Sequence, residues 1–249
     1  MSCFDLIVVG AGPAGCAAAI TASRGGAKVL LLERGSFPRH KVCGEFVSAE
    51  SLELLGRLLI PEDGKLISTA PRIGKGRIFA DGAEISAEIN PPAASITRFA
   101  LDAALWRACL NGGVDARPNF PVKAVKGQGP FSVETEMENF EAKAVVNATG
   151  RWSNLTLPTD ASRDNGDRRI GLKAHFREAS SPASVDLYFF DGGYCGVQPI
   201  TDDSGEHAVN ACAMVSAQRA KTIADVLQLH PELKERSRGW ELVTRPVTT

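Results

Sequence analysis

Metal-binding and disulfide frameworks are both missing from this sequence. Its six cysteines, Cys3, Cys16, Cys43, Cys109, Cys195 and Cys212, form no CxxC pair, and its four histidines do not fall at metal-ligand spacing. Scattered thiols of this kind fit a reducing compartment, so a cytoplasmic location is expected. No run of eighteen apolar residues occurs, and no integral membrane segment is expected. The apolar start, Met1 to Ala22, lacks a positive leading segment, carries Asp5 and is broken by Gly10, Gly12, Pro13 and Gly15. That argues against a secretory signal. A charge excess is absent too, with 28 Lys and Arg against 29 Asp and Glu. This balance removes any long-range pull towards nucleic acid or an anionic membrane. There is no GxSxG nucleophile elbow, no P-loop and no internal repeat.

What is present is an ordinary globular composition, 44% apolar and 23% charged over 249 residues. That is enough chain for one large domain or two small ones. Residues 4–9 read as a buried strand, residues 14–24 as an alanine-rich helix stopped by Gly25-Gly26, and Lys28 to Glu33 as a second buried strand. Such a β-turn-α-β unit pairs its strands in parallel through a right-handed crossover. Ser48 caps an amphipathic helix over 48–59. Arg77-Ile-Phe-Ala and Glu84 to Ile89 flank an Asp81-Gly82 hairpin turn. A helix over 97–110 follows, with Thr97 as its cap, then strands near 121–125, 131–135 and 144–148. Further strands are expected at 170–177, 185–190, 194–198 and 207–215, with helices at 219–229 and from Pro231 to Leu242.

The string Gly10-Ala-Gly-Pro-Ala-Gly15 carries the chemistry. GxGxxG alone is weak, but here a strand precedes it, a helix follows, and an acidic residue, Glu33, ends the next strand about twenty residues on. In that context Gly10 permits the tight turn, Gly12 lets backbone approach a pyrophosphate, and Gly15 lets the helix pack on the strand. Pro13 and Ala14 open the helix, whose N–H groups and dipole favour an anion. Glu33 suits a ribose 2′-hydroxyl. The motif does not by itself separate FAD from NAD.

Four strings together resemble the FAD-dependent oxidoreductases of the para-hydroxybenzoate hydroxylase type, the superfamily of aromatic-ring monooxygenases and geranylgeranyl reductases. They are Asp5 to Gly15 with Glu33-Arg34, Lys41-Val-Cys-Gly-Glu-Phe-Val-Ser48, Thr97-Arg98-Phe-Ala-Leu-Asp-Ala-Ala-Leu105, and Val146-Asn-Ala-Thr-Gly-Arg-Trp-Ser153. Their order and spacing agree along the chain. The resemblance implies an α/β fold in which a Rossmann-like, GR2-type FAD-binding domain (1–65 and 97–160) is interleaved with a mostly antiparallel β-sheet substrate domain (66–96 and 161–249). It implies FAD as cofactor, NAD(P)H as co-substrate and a small organic molecule as substrate, by reduction or by hydroxylation. It places Lys41, Cys43 and Gly44 beside the flavin, Arg98 where an arginine reaches FAD, and Ala148, Thr149 and Gly150 where a strand end closes over the dinucleotide. Val122 is the expected backbone contact to the adenine edge.

Each of these residues also has a plainer reading. Arg98 suits a phosphate or simply a solvated helix start. Cys43, flanked by Lys41 and Gly44, is a lowered-pKa thiol or a buried inert one. Arg39, His40 and Lys41 form a basic cluster for the phosphates of FAD or NADPH, or a solvated loop. The segment around Tyr194 resembles the substrate-pocket strand of geranylgeranyl reductases, but Gly196 and Gln198 stand where large aromatics are expected, which argues against a narrow isoprenoid channel. Tyr194 then lines the pocket or packs in the sheet.

The family's Gly-Asp helix opening near the flavin is not found. Gly166-Asp167 precedes Arg168-Arg169 and reads as a loop. The tryptophan motif of halogenase-like relatives is also missing. Two rival readings remain. One is a truncated, non-catalytic nucleotide-binding module that needs a missing segment or a partner. The other is an NAD-dependent dehydrogenase with a single dinucleotide fold, against which the interleaved sheet and Arg98 argue.

Overall fold

A computed structural model describes residues 3–150, 155 and 168–249. Gly166-Asp167 and the Arg151-Trp152-Ser153 end of the fourth string lie outside the described residues. The elements run β1 (Cys3–Val9), α1 (Pro13–Arg24), β2 (Val29–Leu32), β3 (Phe46–Val47), α2 (Ala49–Leu58), α3 (Lys65–Ser68), β4 (Arg72–Ala80) and β5 (Ala83–Ser95). Then come α4 (Arg98–Asn111), β6 (Asp115–Arg117), β7 (Val122–Lys126), β8 (Phe131–Thr135) and β9 (Asn139–Asn147). The last part holds β10 (Arg169–Arg177), β11 (Ser184–Phe190), β12 (Gly193–Thr201), β13 (His207–Ser216), α5 (Ile223–Val226), α6 (Pro231–Arg236), β14 (Glu241–Leu242) and β15 (Val247–Thr248). No helix among the described residues is long and apolar enough to cross a membrane.

The chain divides into two units, Met1–Arg39 with Leu55–Gly64 and Phe99–Ser162, and His40–Leu54 with Lys65–Arg98 and Arg163–Thr249. Residues 40–54, grouped by sequence with the first part, fall in the second unit. The physical reason is strand pairing: Phe46 and Val47 of β3 pair with Ser95 and Ala94 of β5.

The first unit is built on a six-stranded sheet ordered β6-β2-β1-β9-β8-β7. β6, β2, β1 and β9 are parallel neighbours, whereas β7, β8 and β9 form an antiparallel meander. All four residues of β2 are buried, as expected of a parallel strand covered on both faces. Its core joins Phe4, Ile7, Val9, Leu30, Leu32, Val122, Val133, Phe140 and Ala142. Strand β9 starts at Asn139, earlier than the sequence suggests, because β8 holds its first half in register from Phe131 to Glu134.

The second unit carries a larger, mostly antiparallel sheet, ordered β14-β10-β13-β12-β11-β4-β5-β3, with β15 also on β10. Among the described residues of this sheet only the β4–β11 pair runs parallel. The expected hairpin forms at Asp81-Gly82, where φ angles of 51° and 76° give the primed turn that suits the twist of two-residue hairpins. One sheet face packs Phe79, Tyr188, Val197, Val209 and Ala211 against Ile223, Val226 and Leu233 from α5 and α6. The helix expected over 219–229 shrinks to Ile223–Val226. Thr222 and Asp225 make a reciprocal capping box, and the N–H groups of Arg219 and Ala220 turn back to the Ser216 carbonyl, so no helix can begin earlier. The helix after Pro231 ends at Arg236, and Glu241–Leu242 joins the sheet as a strand.

Phe140 joins the meander to β1, with its ring 6.2 Å from that of Phe4 and 2% of its surface exposed. Phe140→Ala should cost about 3–5 kcal/mol. Denaturant unfolding would check this, and a loss below about 1 kcal/mol would show that the site collapses around the gap.

Candidate functional site

The glycine-rich turn is held by backbone hydrogen bonds on both sides. Gly10 N–H donates to Leu32 O (2.8 Å), and Ala148 N–H donates to Val9 O (2.8 Å). The turn is thereby fastened between the ends of β2 and β9. Gly10 has φ 97°, and a Cβ there would lie 2.5 Å from Ala148 O. A Cβ at Gly15 would lie 1.8 Å from Gly10 O. Both positions therefore demand glycine for internal reasons. Gly12 differs: as N-cap of α1 it is extended (φ −75°, ψ −178°), a conformation open to any residue. Among the described residues no side chain caps α1, no acidic residue sits in its first turn, and Pro13 brings no N–H. The helix start keeps its donor potential for an anion.

Glu33 stands just past β2 and is 5% exposed. Its Oε2 accepts from Ala11 N–H (2.8 Å) and Arg39 Nη2 (3.1 Å), and its Oε1 accepts from Gly35 N–H (3.0 Å) and Arg39 Nη1 (2.6 Å). Four donors fill the four lone-pair positions of a carboxylate. Burial opposes ionisation, but the Arg39 hydrogen bonds and the Ala11 N–H outweigh it and hold the carboxyl below the ordinary carboxylate range. Arg39 also reaches Asp102 (3.5 Å) and lies over the Phe37 ring (4.5 Å). The expected basic cluster therefore does not act as one patch. Arg39 turns to Glu33 in the first unit, whereas His40, in the second, lies 3.1 Å from Asp203.

A cleft of about 240 Å³ opens at the carboxyl ends of β1 and β2, lined by Val9, Gly10, Glu33, Arg34, Val122 and Thr149 among others. Open α/β sheets bind ligands at such strand ends. Gly12, Pro13, Ala14, Gly15, Ala148 and Gly150 lie on the flanking turn, helix and strand end. Gly150 has φ 83° and Thr149 donates to Asn147 Oδ1 through N (3.2 Å) and Oγ1 (2.6 Å), which shapes the exit from β9.

Lys41, Cys43, Gly44, Arg98 and Tyr194 belong to the second unit. Cys43 is half-buried, its sulfur accepts from Glu45 N–H (3.3 Å), and Tyr194 is exposed on β12 beside Phe189, with ring centroids 5.6 Å apart. Arg98 N–H, at the start of α4, donates to Glu45 Oε1 (2.8 Å).

Glu45 is the residue that sequence reasoning missed. It is 2% exposed with φ 62°, and its carboxylate also takes Lys173 Nζ and, at 2.9 Å, His175 Nε2. Burial raises its pKa, but His175 and Lys173 more than reverse this and hold it low. Lys173 and His175 alternate with Leu172, Ala174 and Phe176, a pattern that reads as the solvated side of a strand. Their partner is 128 and 130 residues away in sequence, so no local signal announces the burial.

Both carboxylates have folded-state pKa values below their unfolded ones. Their ionisation therefore contributes stability that is complete above the unfolded carboxylate range, about 4.3 for Glu, and is lost as pH falls through the folded values. Stability measured from pH 7 to pH 3 should fall, and Glu33→Gln should flatten that fall. An unchanged slope would show that Glu33 is no better stabilised in the fold than out of it.

Residues 4–198 match the pyridine nucleotide-disulphide oxidoreductase family. The chain is 32% identical over 176 residues to a menaquinone reductase of Mycobacterium tuberculosis, covering 69% of this chain and 41% of that protein. It is 42% identical over 213 residues to digeranylgeranylglycerophospholipid reductase 2 of Methanopyrus kandleri, covering 79% of this chain and 52% of the relative. The chain thus spans about half, or less, of the length of these curated relatives. Among solved structures, a flavin-dependent brominase superposes with a TM-score of 0.77 at 19% identity, over 100% of this chain and 67% of that one. A flavoprotein/dehydrogenase from Cytophaga hutchinsonii gives 0.75 at 19%, over 100% and 66%. The structural likeness bears out the α/β, GR2-type architecture. With the match running through both units, from the glycine-rich turn to β12, this chain belongs to the pyridine nucleotide-disulphide oxidoreductase family.

Proposed function

We propose that this chain holds FAD in the cleft of its first unit and is part of an oxidoreductase that passes hydride from NAD(P)H to an organic acceptor. The observation that carries this reading is the convergence, at the ends of β1 and β2, of an uncapped helix start, an ionised buried carboxylate and an open cleft. That donor and acceptor set fits a dinucleotide. N–H groups past Gly12 would meet the pyrophosphate, and Glu33 would exchange an Arg39 contact for a ribose hydroxyl. The backbone at Val122 would meet the adenine edge, with Arg34 and Thr149 at the cleft wall and Ala148 and Gly150 closing it. The cofactor would supply hydride chemistry; the protein's share is to orient it and exclude water.

No second GxGxxG occurs, so NAD(P)H would visit without a domain of its own. The names of the two relatives, a menaquinone reductase and a prenyl-lipid reductase, favour reduction over hydroxylation and a hydrophobic acceptor. Gly196 and Gln198 stand on β12 beside Tyr194 where the resembled reductases carry large aromatics, which favours a broader acceptor than a single isoprenoid chain.

The test is an absorption spectrum of the desalted chain after incubation with FAD, followed by anaerobic NADPH. Retained flavin bands that bleach with NADPH are expected; a colourless protein would sink the proposal. Gly12→Val should weaken FAD binding at least about tenfold while costing the apo chain only about 1 kcal/mol, the scale of an N-cap change. Gly15→Val should unfold the turn itself, because its Cβ has no space.

A further inference from the structure

The sheet of the second unit buries a line of titratable groups that the nucleotide cleft does not use. Lys173 and His175 share one face of β10, and Asn210 is the cross-strand partner of His175 on β13, so its side chain shares that face. Because the Glu45 carboxylate is ionised and can only accept, His175 must donate to it from Nε2. In the neutral imidazole this fixes the tautomer and leaves Nδ1 as a lone-pair acceptor. His175 is wholly buried, and its Nδ1 has no hydrogen-bond partner among the described residues.

Asn210 Oδ1 is buried and unpartnered in the same way. Its amide nitrogen is committed to Cys43 O (3.1 Å) and Gly44 O (2.9 Å), which fixes the amide orientation. Two orphaned acceptors on paired positions of adjacent strands are rare and call for a shared donor. One water, with two O–H donors, satisfies both.

Outward of His175 lies His40, edge to face with ring centroids 5.5 Å apart. His40 is partly exposed and its Nε2 is 3.1 Å from Asp203 Oδ2 at the surface. Inward, Glu45 joins His175 to Lys173, which is 1% exposed. Among the described residues, the backbone N–H of Arg98 and the thiols of Cys43 and Cys212 also face this line. Burial pushes the Cys212 thiol up to about 12, so it stays protonated and does not intercept a proton.

We propose that Asp203, His40, His175 and Glu45 form a proton path from solvent to the buried carboxylate that Lys173 holds ionised, with a water on His175 Nδ1 and Asn210 Oδ1 bridging the imidazoles. A proton enters at His40 and crosses the water to His175 Nδ1. His175 releases its Nε2 proton to Glu45, where the path ends; Lys173 keeps its own protons and holds Glu45 ionised until that transfer. At each transfer one N–H or O–H bond forms as another breaks, and nothing is oxidised. The use of the path rests on the flavoenzyme reading, since each hydride added to an acceptor bond must be matched by a proton. Its existence does not.

The test needs neither flavin nor substrate, so its outcome is separate from that of FAD binding. In ¹⁵N-histidine-labelled chain, imidazole shifts and the exchange of the His175 Nε2 proton with water would be followed between about pH 5 and pH 9. The path predicts an Nε2–H tautomer for the neutral His175 ring and exchange of its Nε2 proton that follows the protonation of His40. It also predicts at least a tenfold slowing of His175 exchange in His40→Gln at unchanged Tm. Should that variant misfold, Asp203→Asn keeps both imidazoles and should lower the His40 pKa and slow exchange at a given pH. A His175 whose exchange ignores the substitution made would show that the network is only a structural lock.

Discussion

One carboxylate organises the first unit: Glu33, placed just past β2, takes the N–H of Ala11 from the glycine-rich turn and the N–H of Gly35 from the chain that follows. Those two bonds tie the turn after β1 to the exit from β2, and so set the mouth of the cleft. Arg39 completes the arrangement, because a carboxylate at 5% exposure would otherwise be an uncompensated buried charge. The cleft thus keeps its shape before any ligand arrives. A ribose would meet an acceptor already ionised and oriented, and it would compete with a guanidinium rather than with bulk water.

The second unit repeats the device with different surroundings. Glu45, forced to φ 62°, pins its own turn by accepting from Arg98 N–H, while Asn210 takes the carbonyls of the two preceding residues. Here the partners are the Lys173 ammonium and the His175 imidazole, on the sheet rather than on a loop. Removing one partner of such a buried pair is far more damaging than the net worth of the pair, because the other charge is left stranded. Both turns therefore depend on charge satisfaction as much as on packing.

The sequence reading reached far in the first unit and less far in the second. The β1–turn–α1–β2 unit was legible because its signals are local: an apolar run, a glycine pattern, an alanine-rich helix and one acidic residue at a set spacing. The Asp81-Gly82 hairpin was legible for the same reason. Glu33 was found, but not its guanidinium partner, since Arg39 looks like any loop cation until the chain turns back on itself. The Glu45 network escaped entirely. Its members come from a loop and a strand more than a hundred residues apart, and charged residues alternating with apolar ones along β10 signal water, not burial. The helix over 219–229 failed differently: composition allowed it, and the Thr222–Asp225 capping box set its start four residues late.

The three motif glycines separate into two physical kinds. Gly10 and Gly15 are required by the protein's own backbone, since added Cβ atoms would meet Ala148 O and Gly10 O well inside contact distance. Any chain with this turn needs them, whatever it binds, so they testify to the fold. Gly12 is extended and sits at the start of a helix that no side chain caps. Serine, asparagine or aspartate would stabilise that helix start more than glycine does, and the conformation permits them. A bare N-cap gives up that stabilisation and leaves the first N–H groups open. An anion approaching the backbone there supplies the missing partner, which makes Gly12, rather than its neighbours, the motif residue that speaks for a ligand.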